Sequence, residues 1–568
     1  MTQATRKSVP APLEPARFNI PQPFIATLDN GLKVVIVADK RLPLVSYRLA
    51  FLSGDADDPT DSVGITSAMA SMVSEGTANY SSRELAEKIE RLGASLSASS
   101  SDDFTIVAAS SLSIYSTEIL HLIVEIIFRA TFPEDELDLY KRNTIENLKF
   151  QRSQPGFLAN EQVARILYGD HPYARISPTA EEIENLSREK IADFYSKQLM
   201  PNNAIFIAVG DIERSEFMKE IEEQFGSWKS QQIPAVTSSD APVRKGRSLT
   251  IVDRPGSAQA NIVLASMAFK RDHPDYFAAT VMNQILGAGA SSRVFMNLRE
   301  EKGYTYGAYT RLDAKRSAGD FEATAEVRTQ VTGDSLREFF YELERIRTEP
   351  VSEVELEDAK NFLTGVFPIR AETQEGLTNL IVNQQLYDLP VDYLQTYRDN
   401  IESISTEDVQ RVAQKYIQPD NVAIVIVGDA SDVLPQARSY SDQIDIFDTE
   451  GNKMDISSFE EGPDTDTAVV SGTWELSLDF QGQKLPITLT LDQSSDRISG
   501  KIDTVLGSGN IEEGRVKGNK VSATARTEIQ GESVDFTISG SVDGDSMSGT
   551  LSAPIIPDSL SFAGKRKS

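Results

Sequence analysis

The sequence lacks cysteine and is nearly without histidine. Its 568 residues contain no Cys, and the only histidines are His121, His171 and His273. Zinc motifs need Cys or His side chains a few residues apart, and these three are widely separated. We therefore expect no zinc and no other cofactor in this chain. The absence of cysteine also excludes disulfides, which leaves the redox compartment undecided.

Long hydrophobic runs and an excess of positive charge are also absent. No stretch of about 20 apolar residues occurs, which argues against a membrane-spanning helix. Asp and Glu number 85 against 56 Lys and Arg, giving a net charge of −29. Because binding to phosphates needs basic surface, we do not expect nucleic acid as a partner.

The first 24 residues form a proline-rich tail. No apolar signal-peptide core follows Met1, as an intact export signal would require. The prolines favour a stiff, extended segment, and such a segment often follows a cleaved export signal. This start, together with a β domain at the other end of the chain, favours the bacterial periplasm or another extracytoplasmic location over the cytoplasm.

A tandem repeat fills most of the chain. The length predicts several domains, and segments 187–211 and 405–429 match, with an offset of 218 residues from Ser187 to Ser405. Each segment is typical of a capped helix, a turn and a β-branched strand. We predict two homologous α+β units, a first repeat over residues 25–230 and a second repeat over residues 231–442.

Local patterns within the repeats indicate their fold class. Asn30-Gly31 between apolar runs is a strong hairpin signal. Amphipathic helices follow, one of them begun by a capping box of Ser81 and Glu84. Strands then return in both repeats. We predict an α+β fold in which each repeat is an antiparallel-rich sheet with helices on one face.

The composition changes after Asp442. Acidic residues among Gly, Ser and Pro indicate a solvated linker over residues 443–468. Short alternating segments with glycine-containing turns then predict a small all-β barrel or sandwich over residues 469–568. We expect Trp474, Phe480 and Phe536 in its core rather than on a ligand platform. A carrier or adhesin that binds through this β domain is one functional alternative.

A glycine-rich loop in the second repeat precedes two polar side chains. Gly287 and Gly289 lie in the loop, Arg299 follows on a predicted helix, and Tyr306 stands at the start of a predicted strand. The loop lacks the Gly-Lys-Ser/Thr of a phosphate-binding loop. From spacing alone, Arg299 and Tyr306 are typical of a surface salt bridge and a half-buried aromatic.

Several landmarks together resemble one known family. They are the Asn30-Gly31 hairpin, the segment from Gly64 to Thr77 followed by Tyr80-Ser-Ser-Arg-Glu-Leu, the Gly93-Ala pair, Tyr168-Gly-Asp-His-Pro-Tyr173, and Pro201-Asn-Asn with Val209-Gly-Asp211. This set resembles the pitrilysin (insulinase) family of zinc peptidases. Its half-length branch, which includes mitochondrial processing peptidase subunits and bacterial heterodimeric relatives, is the most similar. The resemblance covers roughly residues 20–440 and implies half of a clam-shell around a substrate cavity.

The resemblance implies a zinc motif that this chain does not carry. Zinc-binding members have an inverted His-x-x-Glu-His motif on the first long helix and a later glutamate ligand. The three motif positions fall here on Ser67, Ala70 and Ser71, and the later glutamate falls near Glu146 or Asn147. Neutral hydroxyls ligate zinc weakly, and alanine cannot act as a general base. The resemblance therefore implies a degenerate metal site.

The resemblance also implies a second part of the family's chemistry. Members carry an arginine and a tyrosine, seven residues apart after a glycine-rich loop, that reach substrate across the cavity. Arg299 and Tyr306 match this pair, and Gly287 and Gly289 match the flexible, close-packing approach to it, which makes them the expected substrate-binding residues of the loop. A guanidinium and a phenol are donors suited to a peptide carbonyl and to a developing oxyanion.

These features predict one subunit of a heteromeric zinc peptidase. The chain is expected to be inactive alone and to supply Arg299 and Tyr306 in trans to a peptide or unfolded polypeptide. Zinc is expected in a homologous partner that carries His-x-x-Glu-His. The alternative is a catalytically inert scaffold or peptide-binding subunit that has lost both parts of the chemistry.

Overall fold

The computed structural model describes residues 20–233, 241–459, 468–480, 483–504, 507–529, 532–552 and 560–567. The chain divides into an N-terminal body, Met1–Ser458, and a C-terminal body, Phe459–Ser568. Residues 1–19 of the predicted tail and residues 460–467 of the predicted linker lie outside the described residues. Within the described part of the chain, every helix is too short or too polar to cross a membrane.

The first repeat contains a six-stranded sheet. Its strands are β1 (Phe24–Thr27), β2 (Lys33–Ala38), β3 (Leu44–Phe51), β4 (Ser95–Ser100), β5 (Thr105–Leu112) and β6 (Ala204–Gly210). They are ordered β1-β2-β6-β3-β5-β4, and all neighbours except β2 and β6 are antiparallel. Its helices are α1 (Ile65–Met72), α2 (Ser82–Arg91), α3 (Ser116–Arg129), α4 (Glu134–Arg152), α5 (Pro155–Tyr168), α6 (Ala180–Glu184), α7 (Arg188–Gln198) and α8 (Arg214–Phe225).

The second repeat contains a seven-stranded sheet. Its strands are β7 (Ser248–Asp253), β8 (Gln259–Met267), β9 (Thr305–Ala314), β10 (Gly319–Arg328), β11 (Ala423–Gly428), β12 (Ile444–Phe447) and β13 (Lys453–Met454). They are ordered β13-β12-β7-β11-β8-β10-β9. Its helices are α9 (Tyr276–Asn283), α10 (Arg293–Phe295), α11 (Thr332–Thr348), α12 (Glu353–Glu372), α13 (Gln374–Leu386), α14 (Tyr393–Glu402), α15 (Thr406–Tyr416) and α16 (Ala430–Ala437). Two π-helical turns, Gln284–Ala288 and Met296–Glu301, flank α10.

The two sheets share a five-stranded core of one topology, as the sequence match predicts, since β2-β6-β3-β5-β4 corresponds to β7-β11-β8-β10-β9. The equivalent helices α7 and α15 begin at Ser187 and Ser405, whose hydroxyls accept the backbone N–H of Lys190 and Asp408. The strand after each helix, β6 or β11, pairs parallel to one neighbour and antiparallel to the other. The repeated helix, turn and strand pattern therefore builds the centre of each sheet.

One helix of each repeat covers the sheet of the other repeat. Leu158, Val163 and Leu167 of α5 pack in an apolar cluster with Val263 and Val425 of the second sheet. In the reciprocal cluster, α13 and the first sheet contribute Val35, Val37, Ile205, Ile207, Leu377, Ile381 and Leu386. Each sheet thus carries helices of its own repeat on one face, as predicted, and a helix of the other repeat on its second face. This exchange buries both faces, so the two repeats form one body.

The second sheet continues into the segment whose composition indicates a linker. Ile444–Phe447 forms β12 and pairs parallel to β7. Ile446 is buried there, because the alternation of isoleucine with acidic residues turns one apolar face towards the core. The sheet therefore extends beyond residue 442.

The C-terminal body is a closed barrel. Its strands are β14 (Gly472–Phe480), β15 (Gln483–Ser494), β16 (Arg497–Thr504), β17 (Gly507–Lys517), β18 (Lys520–Ile529), β19 (Glu532–Asp543), β20 (Ser546–Ser552) and β21 (Leu560–Arg566). Trp474 and Phe536 are buried in its apolar core, as predicted, whereas the side chain of Phe480 lies outside the described residues. Arg566 lies over the Trp474 ring and donates to the Ser471 carbonyl at 2.7 Å, which fastens β21 to the start of β14.

Candidate functional site

Arg299 and Tyr306 lie next to each other at the edge of the second sheet. Arg299 lies on the π-helical turn Met296–Glu301, and its Nε donates to the backbone carbonyl of Tyr306 at 3.0 Å. The guanidinium also pairs with Glu300 and lies 5.3 Å from the centre of the Phe295 ring. The turn and β9 thereby bring together two residues that are separated by seven positions in the sequence.

A β-bulge directs Tyr306 away from the sheet. Two residues of β9, Tyr306 and Gly307, oppose the single residue Glu326 of β10. The Thr305 hydroxyl closes the bulge by donating to the Glu326 carbonyl at 2.6 Å. Bulges commonly re-aim a side chain beside a functional site. The Tyr306 side chain is 90% exposed, so its hydroxyl is available to a ligand.

Gly287 packs against the strand that carries Tyr306, and Gly289 contacts the residue that precedes α10. A Cβ on Gly287 would lie 2.4 to 2.5 Å from atoms of Thr310 in β9, so this close approach requires glycine. Gly289 accepts hydrogen bonds from the backbone N–H and the hydroxyl of Ser292, which begins α10. The contacts of both glycines in this structure are thus structural ones within the second repeat.

The exposed pair has the chemistry of an oxyanion or carbonyl-binding site. Arg299 keeps 42% of its side chain exposed, and a guanidinium is always charged and presents several donors. Donors fixed in place before substrate arrives stabilise negative charge without reorganisation. Two such donors beside an edge strand therefore suit the backbone of a bound peptide.

Ser67, Ala70 and Ser71, the positions that the family resemblance assigns to the zinc motif, lie on α1 in the first repeat. Ser67 donates to Asp55 at 3.1 Å and lies 2.8 Å from the Ser100 hydroxyl, which itself donates to Asp55 at 2.7 Å. Ala70 is buried and Ser71 is exposed. The Ser67 hydroxyl is therefore engaged in a local cluster with β4.

Buried carboxyls surround the start of α1. Asp58 accepts hydrogen bonds from the backbone N–H of Gly64 and Thr66 and from the Thr66 hydroxyl, so it caps the helix. Burial raises the pKa of Asp58 to about 6. Burial also raises the pKa of Asp55. Both groups are engaged by the protein's own donors.

These positions do not fit a zinc ion. Glu146 and Asn147 are both exposed on α4, and Glu146 pairs with Lys149 at 2.8 Å. Around α1 the matching positions offer two hydroxyls and a methyl group, whereas zinc prefers His, Cys or carboxylate ligands. Across the described ranges, no group of three or more His, Asp and Glu side chains is arranged to hold a metal.

The histidines lie at structural positions that the sequence reasoning left unassigned. His171 is buried where the repeats meet, 3.2 Å from the Ser317 hydroxyl. His273 packs against Phe269 and Tyr416, and His121 lies 3.3 Å from the Gln224 amide. The sequence patterns above do not predict the contact of His171 between the repeats. Its signal in the sequence is the opposite charge of two turns, Asp102-Asp103 and Lys315-Arg316, the second of which lies next to Ser317.

Two family descriptions match the chain in consecutive segments. Residues 33–178 match the family described as "Insulinase (Peptidase family M16)". Residues 185–363 match the one described as "Peptidase M16 inactive domain". The first segment contains Ser67, Ala70 and Ser71, and the second contains Arg299 and Tyr306.

Individual relatives agree with these matches. An uncharacterized zinc protease YmxG of Bacillus subtilis is 24% identical over 61% of this chain and 84% of its own length. A non-peptidase homolog YmxG of Helicobacter pylori is 22% identical over 70% and 93%. The mitochondrial-processing peptidase subunit alpha-2 of Dictyostelium discoideum is 24% identical over 74% and 94%.

The crystal structure of a peptidase M16 inactive domain from Pseudomonas fluorescens superposes with a TM-score of 0.67 and 26% identity, and the match covers 72% of this chain and 98% of that chain. The sequence landmarks, the duplicated fold and these similarities agree. The chain belongs to the pitrilysin (insulinase) family M16 of peptidases.

Proposed function

We propose that this chain is the non-zinc-binding subunit of a heteromeric zinc metallopeptidase. The exposed and adjacent Arg299 and Tyr306 carry this proposal, because the same chain has no ligand set at Ser67, Ala70 and Ser71. The pair acts in trans on a peptide held at the zinc of a homologous partner. Similarity to a mitochondrial-processing peptidase subunit supports a heteromeric assembly.

Each member of the pair has a separate task in this proposal. The Arg299 guanidinium holds a backbone carbonyl of the bound peptide. The Tyr306 hydroxyl donates to the oxygen of the carbonyl under attack, where negative charge develops. Loss of one such donor typically lowers turnover on the order of 100-fold. The substrates are peptides or unfolded segments, because an enclosed cavity excludes folded proteins.

The test compares the isolated chain with a reconstituted complex. The isolated chain is expected to bind no stoichiometric zinc and to cleave no fluorogenic peptide. Mixed with a homologous chain that carries His-x-x-Glu-His, it should show activity that falls about 100-fold in Tyr306→Phe and in Arg299→Ala. Metal-dependent cleavage by the isolated chain contradicts the proposal.

Matched variants separate the pair from general effects. Tyr341 is also an exposed tyrosine of the second repeat, with 52% exposure, and Arg83 is an exposed arginine paired with Glu87. Tyr341→Phe and Arg83→Ala should leave activity unchanged. Equal losses in the control variants and the pair variants would remove the support for a catalytic role.

A second candidate is an inert scaffold or peptide-binding subunit. The match to an inactive domain of the family and the similarity to a non-peptidase homolog of Helicobacter pylori favour it. In that case Arg299→Ala and Tyr306→Phe leave the activity of the complex unchanged, whereas removal of the whole subunit abolishes assembly. The pair variants therefore decide between the two candidates.

The cellular location belongs to the same proposal. We expect a bacterial extracytoplasmic protein, on the basis of the proline-rich tail and the appended β domain. Fractionation of cells that carry the natural gene, with the native protein detected by antibody, tests this location. Recovery in the cytoplasmic fraction alone contradicts it.

A further inference from the structure

The edge hairpins of the two sheets meet at their turns. β4 and β5 form the edge hairpin of the first sheet, and β9 and β10 occupy the corresponding edge of the second. The turn between β4 and β5 carries Asp102 and Asp103, whereas the turn between β9 and β10 carries Lys315 and Arg316. Two turns at equivalent places in a duplicated fold thus have opposite charge.

These turns form a network that we name the inter-repeat joint. Lys315 Nζ lies 2.6 Å from Asp102 Oδ2. The backbone N–H of Arg316 donates to Asp103 Oδ2 at 3.0 Å, and the Tyr173 hydroxyl donates to the other oxygen of Asp103. Every contact joins one repeat to the other or orients a group that does so.

The joint is partly withdrawn from water. Lys315 is 21% and Asp102 is 37% exposed at the side chain, and the Lys315 ammonium lies 4.8 Å from the centre of the Tyr173 ring. Burial alone would lower the pKa of Lys315, but the charge and hydrogen bond of Asp102, together with the charges of Asp313 and Asp320, outweigh burial and raise that pKa. Charge pairs sheltered in this way are screened less by salt than exposed pairs.

The inter-repeat joint and the pair of Arg299 and Tyr306 lie at opposite ends of β9. This strand has ten residues, with Tyr306 near its start and the turn at its end. Among the described residues it pairs with β10 alone. The position of β9 therefore depends on β10, on the packing of Gly287 against Thr310, and on what holds the turn.

We propose that Asp102, Asp103 and Lys315 are positioning residues that hold the turn of β9 and so set where Arg299 and Tyr306 meet a bound peptide. This inference rests on the proposed function. The physical reason is that a displacement of about 1 Å at a reacting centre can cost about 100-fold in rate. Because β9 pairs with β10 alone among the described residues, loss of the turn contacts gives it more freedom to make such a displacement.

The first test uses the isolated full-length chain and needs no partner. Lys315→Met keeps the aliphatic stem and removes the charge, and Asp102→Asn is the conservative variant of the other side. Amide hydrogen exchange in Thr305–Ala314 should become about fivefold faster in both, because local opening of β9 is then easier. Lys197→Met is the control, since Lys197 also pairs at 2.6 Å but with an exposed Asp193. Unchanged exchange in β9 overturns the proposal.

The second test uses the reconstituted complex. Lys315→Met should lower kcat about tenfold and leave KM within about twofold, because the peptide still binds but meets a displaced pair. The combined Asp102→Asn and Lys315→Met variant should lose no more than either single variant, as expected for one shared interaction. An active wild-type complex with full kcat in Lys315→Met overturns the positioning role. An inactive wild-type complex overturns the proposed function instead. The hydrogen-exchange test alone then decides whether the inter-repeat joint holds β9 in place.

Discussion

The two repeats have the same topology but differ in how their polar side chains are used. In the first repeat, Ser67 is engaged with Asp55 and Ser100. In the second repeat, the Arg299 guanidinium contacts Glu300 and the Tyr306 carbonyl but stays 42% exposed at the side chain, and Tyr306 is 90% exposed. Buried polar groups need partners, and those partners use up their hydrogen-bonding capacity. The difference shows that one copy of a duplicated fold can direct its polar groups to partners inside the protein, while the other keeps a tyrosine hydroxyl and part of a guanidinium exposed.

The largest expected effect separates the repeats by activity. In the reconstituted complex, Arg299→Ala combined with Tyr306→Phe should lower kcat/KM by about 100-fold or more, about 2.7 kcal/mol of transition-state stabilisation. Ser71→Ala in the first repeat should leave it unchanged, because this exposed hydroxyl has no ligand to hold. Peptide cleavage assays check both. A larger loss in Ser71→Ala than in the pair would reverse the comparison.

A smaller effect concerns the glycine beneath β9. Gly287→Ala places a methyl group within 2.5 Å of Thr310, so the strand must shift, at a cost of about 1–3 kcal/mol in the free energy of unfolding. We expect about a tenfold loss of activity as well. Gly365→Ala on α12 is the control, since a Cβ there meets no atom within 4 Å. Denaturant unfolding and activity measurements should both distinguish the variants.

The contact between the repeats should respond to pH. Burial and the charge of Glu322 raise the pKa of Asp320, which accepts the Tyr168 hydroxyl at 2.5 Å, to about 6. The folded state therefore holds this proton at pH values where the unfolded chain, with an ordinary pKa of 3.8, has released it. Its contribution to the free energy of unfolding falls as pH rises from about 4 to about 6 and stays low above that range.

Asp320→Asn removes this pH dependence while it keeps an acceptor for Tyr168. Relative to wild type, the variant should gain about 2 kcal/mol in the free energy of unfolding between pH 4 and pH 7. Asp61→Asn, at an exposed carboxylate, should follow the wild type. Urea unfolding at several pH values measures the difference, and parallel curves for Asp320→Asn and wild type would contradict it.

The smallest expected effect concerns the C-terminal barrel. A chain that ends at Ser458 keeps β12 and β13 in the second sheet. The barrel has its own apolar core, so the melting temperature of the N-terminal body should change by less than a few degrees. Activity with the partner should also be retained. Calorimetry of the shortened chain checks this, and loss of the N-terminal transition would show that the bodies depend on each other.

Much of the fold could be predicted because its signals are local. The match between residues 187–211 and 405–429 predicts the central helix and strand of both repeats, and the structure has them as α7 with β6 and α15 with β11. Glycine-containing turns and alternating strands predict the all-β domain. Capping residues and strand alternation act through neighbours in sequence, so they can be read without a tertiary structure.

Other features depend on contacts between distant residues. The exchange of α5 and α13 could not be predicted, because an amphipathic helix does not specify which sheet it covers. The acidic neighbours of β12 made its sequence typical of a linker. Its two isoleucines contribute to a core only when the strand pairs with β7. The bulge at Tyr306 likewise depends on the register with β10, which local sequence does not determine.

The sequence by itself determined the duplication and the appended β domain, because each is a property of residue types and spacing, and it placed Ser67, Ala70 and Ser71 at the positions that the family resemblance assigns to the zinc motif. The tertiary structure decided that Arg299 reaches the Tyr306 carbonyl, that both side chains face solvent, and that Lys315 meets Asp102. These contacts join residues through packing and strand pairing. Their distances and exposure arise only when the chain is folded.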